Sequence, residues 1–79
     1  MSVLAFVLMN VKVGTDRETV SRLRKLKGVN SVYEVYAVYD IVAMVEAASM
    51  GELNELVNSE IRKITSVTST HTIIAEKFS

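Results

Sequence analysis

Few side chains in this chain could do chemistry, and they fall in two places. One is Asp40, preceded by Tyr39, the only charged residue between Glu34 and Glu46. The other is the run Val67-Thr68-Ser69-Thr70-His71-Thr72, with a threonine at every second position. Alternate positions of a strand share a face, so Thr68, Thr70 and Thr72 would present three hydroxyls side by side. A carboxylate and a row of hydroxyls suit a small zwitterion: the carboxylate takes an ammonium, while hydroxyls and backbone amides take carboxyl oxygens. A threonine row also arises from cross-strand pairing and β propensity alone. The sole histidine, His71, would act as a general base only with a pocket and an orienting partner. No H-E-x-x-H, phosphate-binding glycine loop, G-x-S-x-G or cysteine occurs, so a catalytic set is not expected. The chain reads as no enzyme, without cofactor or metal.

These residues need elements to position them. Residues 28–48 read as two apolar strands, 29–36 and 40–47, joined by a short tip. β-Branched residues (Val29, Val32, Val35, Val38, Ile41, Val42, Val45) and Tyr33, Tyr36 and Tyr39 favour a pleated, packed surface. A first strand over 2–13 is apolar on both faces, with Leu4, Phe6 and Leu8 on one and Val3, Ala5, Val7 and Met9 on the other; burial on both faces accounts for this. The capping box Thr15-x-x-Glu18 starts a helix over 16–27, with Val20, Leu23 and Leu26 towards the sheet and Gly28 as its stop. A second box, Ser49-x-x-Glu52, starts another, with Leu53, Leu56, Val57, Ile61 and Ile64 as its apolar stripe. A last strand covers 67–76, and 77–79 form a tail.

The order β-α-β-β-α-β is thus a pattern used twice. Right-handed crossovers place both helices on one side of a four-stranded antiparallel sheet, a ferredoxin-like α+β sandwich. The other face of that sheet would expose more apolar surface than a monomer carries. A homodimer with two sheets face to face, a dimeric α/β-barrel-like assembly, is therefore expected.

Bulk properties agree. A single domain of 79 residues buries only about 60–65% of its unfolded surface, and small domains are commonly reinforced by disulfides, metals or oligomerisation. With no cysteine and one histidine, oligomerisation remains. Nine Lys and Arg balance nine Asp and Glu, which argues against direct nucleic-acid binding. The basic cluster Arg22, Arg24, Lys25 and Lys27 reads as the solvated end of the first helix. No stretch reaches the roughly 18–20 apolar residues of a membrane helix, and no signal peptide is evident; a cytoplasmic location is expected.

Gly28-Val29, Tyr39-Asp40-Ile41 and Val67-x-x-Thr70-x-Thr72-Ile73-Ile74, taken in order, resemble the effector-binding RAM domain of the Lrp/AsnC (feast/famine) transcription regulators, over nearly the whole chain. The family usually has glycine where Ala37 and Ser66 stand here. The resemblance implies dimers that assemble into rings, octamers or similar, and an amino acid or related metabolite bound between dimers. Carried over by position, it points to Asp40, Thr70 and Thr72, with Tyr39 and Ser69 beside them, and to Glu34 and Tyr36 on the approach to the hairpin. Full-length members carry an N-terminal helix-turn-helix, and residues 1–79 look like a stand-alone RAM domain without a DNA-binding domain. Such a module would regulate transcription by co-assembling with full-length relatives or act as a sensor itself. The alternatives are a small dimeric enzyme of monooxygenase or isomerase type and a purely structural oligomer.

Overall fold

The computed structural model describes residues 2–76, so the expected tail lies outside the described residues. The element order is that read from the sequence: β1 (Val3–Val11), α1 (Asp16–Arg24), β2 (Val29–Glu34), β3 (Ile41–Ala47), α2 (Met50–Glu55) running into a π-helical segment (Leu56–Ile61), and β4 (Val67–Ala75). The strands form one antiparallel sheet in the order β2-β3-β1-β4, the ferredoxin-like arrangement. The apolar stretches β1 and β3 are its central pair, and β2 and β4 its edges.

Register decides which residues share a side, because directly paired residues point the same way. Ala5, Val7 and Met9 pair with Val45, Ala43 and Ile41. All six are fully buried, and with Leu23 of α1, Leu53 of α2 and Ile61 they form the core between sheet and helices. Each large aliphatic side chain withdrawn this way contributes about 1.5–3 kcal/mol of transfer free energy. Leu4, Phe6 and Leu8, paired with Glu46, Met44 and Val42, point to the side that carries no helix. They are only half-buried.

Several boundaries differ from the sequence expectation. α1 stops at Arg24 rather than residue 27, because its end tightens: the Lys25 and Leu26 amides donate to the carbonyls of Arg22 and Leu23, at 3.2 and 3.1 Å. Gly28 follows at φ 98°. β1 ends at Val11, where a turn through Gly14 at φ 81° begins. β2 ends at Glu34, two residues early.

The first capping box does not form. The Thr15 hydroxyl donates to the Lys12 carbonyl at 2.6 Å instead of accepting from the helix. In the second box Ser49 Oγ accepts from the Glu52 amide at 3.2 Å, while the Glu52 carboxylate reaches back one residue further than expected, to the Ala48 amide at 3.0 Å. The second helix was expected as one regular α-helix. It widens instead, so that the Arg62 amide donates to the Val57 carbonyl five residues back, at 2.9 Å.

Candidate functional site

Asp40 lies at the entrance to β3, and its backbone and side chain both bind neighbouring strands. Its amide donates to the Met9 carbonyl and its carbonyl accepts from the Val35 amide, both at 2.9 Å. Its carboxylate Oδ2 accepts from the Val11 amide at 2.9 Å. That amide sits where the β1–β4 register slips between Asn10 and Val11, so the carboxylate serves a donor at an irregularity of the ladder.

The hairpin also crosses towards β4. The ring of Tyr39 stacks on the imidazole of His71, with centroids 6.4 Å apart and planes inclined by 20°. His71 is paired with Leu8, which places this stack on the helix-free side of the sheet. Next to it the Asn10 amide side chain donates to Ser69 Oγ at 3.1 Å, and the Thr68 hydroxyl donates to the Asn10 carbonyl at 3.1 Å. One end of the sheet thus gathers Tyr39, Asp40, Asn10, Ser69 and His71.

The other expected residues are not brought into that group. Thr70 and Thr72 pair with Met9 and Val7, so they stand on the helix side of β4, opposite His71. Thr68 falls at the register slip itself and has no pairing partner on β1. Glu34 pairs with Ile41 and is exposed, and Tyr36 projects from the hairpin tip at 96% exposure. Two neighbours of the cluster, Asn10 and His71, were not among the expected binding residues. Their participation follows from pairing register, which their spacing along the chain does not reveal.

A surface depression of about 350 Å³ runs along the start of β4, lined by Arg62, Val67, Thr68, Ser69 and Thr70. A larger one, about 1140 Å³, lies at the far end of the sheet and includes Lys27, Glu46, Glu52, Glu55 and Glu60 in its lining. Among the described residues no group of three His, Cys, Asp or Glu side chains could hold a metal ion, and no helix is long and apolar enough to cross a membrane.

A four-stranded antiparallel sheet with both helices on one face defines a ferredoxin-like α+β domain. Residues 4–77 match the family model described as the Lrp/AsnC ligand binding domain, and the chain belongs to that family. Among solved structures it is similar to FFRP-DM1, at 34% identity and a TM-score of 0.90, with 94% of this chain and 99% of that one covered. It is also similar to AsnC of E. coli, at 25% identity and a TM-score of 0.87, over 95% of this chain and 51% of that one. A transcriptional regulator from Neisseria meningitidis, solved as a complex with L-Met, shares the fold at 18% identity and a TM-score of 0.87, over 96% of this chain and 51% of that one. The chain therefore spans about half the length of the two regulators and nearly all of FFRP-DM1. A search among curated proteins gives no match.

Proposed function

We propose that this domain binds an amino acid or a closely related metabolite and couples that binding to its own oligomerisation, as a regulatory module of transcription. The observation that carries the reading is the match of residues 4–77 to the Lrp/AsnC ligand binding domain. The regulator of the same fold solved with L-Met suggests the ligand class. The ligand lies at an interface between dimers, beside the Tyr39–Asp40 segment and the Ser69–Thr72 stretch of β4. Asp40 keeps one oxygen on the Val11 amide and offers the other to an ammonium group.

The dimer beneath this assembly pairs two sheets through their helix-free faces. The support is that Leu4, Phe6, Leu8, Val42 and Met44 are half-buried in the single chain with no layer above them, while Tyr33 and Ile73 are about half exposed. The domain acts as a single unit over residues 1–79, by co-assembly with full-length relatives or as a sensor. The enzyme reading is less favoured, because Met9, Leu23, Ile41, Leu53 and Ile61, each at 0–1% exposure, fill the space between sheet and helices.

The test is a thermal-shift screen of the protein against the twenty amino acids, with light scattering on each hit. A ligand that binds only the folded assembly stabilises it by about 2.7 kcal/mol at a hundredfold excess over Kd, a rise on the order of ten degrees for a domain this size. The expected result is a selective rise together with a change in assembly mass. A flat response to all twenty, with unchanged mass, would move the reading to a structural oligomer.

A further inference from the structure

We infer that His71 makes the contact between two sheets sensitive to pH: the helix-free face closes on a second copy of the chain while the imidazole is neutral and opens when it takes up a proton. This rests on the face-to-face dimer proposed above and deepens it by naming the group that regulates it. His71 is the chain's only histidine. It is the middle residue of β4 and pairs with Leu8, so it stands on the helix-free side of the sheet, where it is exposed in the single chain.

Its surroundings there are apolar. Leu8, across the ladder, pairs in turn with Val42 of β3. Two residues along β4 on the same side is Ile73, 46% exposed and paired with Phe6. The ring of Tyr39 stacks on the imidazole from the hairpin. Neighbouring strands lie about 4.8 Å apart and alternate residues of one strand about 7 Å apart. A layer that covers Phe6, Leu8 and Ile73 therefore covers His71 too, and a second copy takes the imidazole out of water together with the apolar patch.

The neutral ring packs in such a layer, but burial disfavours the charged form unless a counter-charge meets it. Among the described residues the one ion pair is Arg22 with Glu18, so no carboxylate holds His71. Asp40, at the same end of the sheet, keeps its carboxylate on the Val11 amide at 2.9 Å. Glu46, the acid on the helix-free side, pairs with Leu4 near the opposite end, where Asn30 and Ser2 donate to it at 2.6 and 3.1 Å. Lys12, just past the end of β1, is a cation and opposes a second one. Tyr33, paired with Val42, and Tyr39 are phenols, a group that titrates well above the range of imidazole. The facing sheet of a second copy presents the same set.

Imidazole changes charge between about pH 5 and 8. In the separated chains it is open to water and protonates freely; in the closed layer it resists protonation. Association is therefore complete at the upper end of that range and weakens as pH falls. One imidazole enters from each copy, and each proton taken up on separation weakens association by about tenfold per pH unit in acid.

The experiment measures the dissociation constant by sedimentation over a dilution series from about pH 8 to about pH 5.5 at constant ionic strength, with circular dichroism at each pH. The constant should rise by about tenfold or more towards acid while the spectrum stays unchanged. His71→Gln, neutral at every pH, should flatten the profile. His71→Lys, charged throughout, should be weak already at the alkaline end. The residue is exposed in the single chain, so neither substitution disturbs the core. A constant value across the range, tighter association in acid, or an unchanged profile in His71→Gln would overturn the switch and leave the dimer standing. A wild type that is monomeric even at the alkaline end would remove the dimer reading and the switch with it.

Discussion

The carboxylate of Asp40 accepts a hydrogen bond from the backbone amide of Val11 at 2.9 Å, joining the start of β3 to the end of β1 where the β1–β4 register slips. Asp40 is therefore a structural fastener as well as the leading ligand residue, and its two roles separate by substitution. Asp40→Ala removes the acceptor and leaves a part-buried amide unpaired; a loss of about 1.5–3 kcal/mol is expected, the range for a bond to a charged group. Asp40→Asn keeps an oxygen facing Val11 and should lose no more than about 1 kcal/mol, while giving up its attraction for an ammonium. Urea unfolding measures the first effect and ligand titration the second. Equal stability of the two variants would show that the Val11 contact contributes nothing.

Gly28 and Gly14 form a matched pair of controls for backbone strain. Both have positive φ, 98° and 81°. A Cβ on Gly28 would lie 2.9 Å from the Glu46 carbonyl oxygen, whereas one on Gly14 would have nothing within 4 Å. Gly14→Ala should cost only the left-handed penalty of about 1–2 kcal/mol. Gly28→Ala should cost clearly more, because it also presses on backbone where the Glu46 amide donates to the Gly28 carbonyl at 2.8 Å. Denaturant midpoints of the two variants compare them directly; similar losses would mean that the β2–β3 junction yields without strain.

How much of this was legible in the sequence follows the physics of each feature. The element order and sheet were readable because β1 and β3 are apolar at odd and even positions alike, and because Ser49 and Gly28 mark helix ends by local chemistry. The Tyr39–His71 stack and the Asn10–Ser69 contact were not readable. They depend on pairing register across 32 and 59 positions, and a one-residue slip exchanges the faces of a strand. For the same reason Thr70 and Thr72 were grouped with Asp40 although they stand on the other side of β4.

Ser66, where the family usually has glycine, is explained by a partner. Its hydroxyl lies 2.6 Å from that of Thr19, both buried, and Thr19 also reaches the Thr15 carbonyl at 2.8 Å. Thr19→Val strands the Ser66 hydroxyl and should destabilise by about 1–3 kcal/mol, the desolvation penalty of an unpaired buried group. Ser66→Ala leaves Thr19 its bond to Thr15 and should cost less. The double variant should be less destabilised than the sum of the singles, because groups in direct contact couple by about 0.5–3 kcal/mol. Strict additivity in urea unfolding would show that the two hydroxyls do not interact.

Phe6 gives the sharpest test of the helix-free face. It is central in β1, flanked in register by Met44 of β3 and Ile73 of β4, and it is half-buried in the single chain. In an isolated domain Phe6→Glu places a carboxylate at the surface of a sheet, where water reaches it and the loss is modest. In a pair of sheets packed face to face the same change puts charges from both copies into an apolar layer, and a buried unpaired charge costs at least several kcal/mol. The expected outcome is a wild type of at least dimer mass by light scattering at micromolar concentration, and a Phe6→Glu variant of monomer mass that keeps its circular dichroism spectrum. Its melting temperature should be lower than that of the wild type and independent of protein concentration, because an assembly is stabilised by mass action and a monomer is not. A wild type that is monomeric, or a variant whose mass does not fall, would remove the face-to-face dimer.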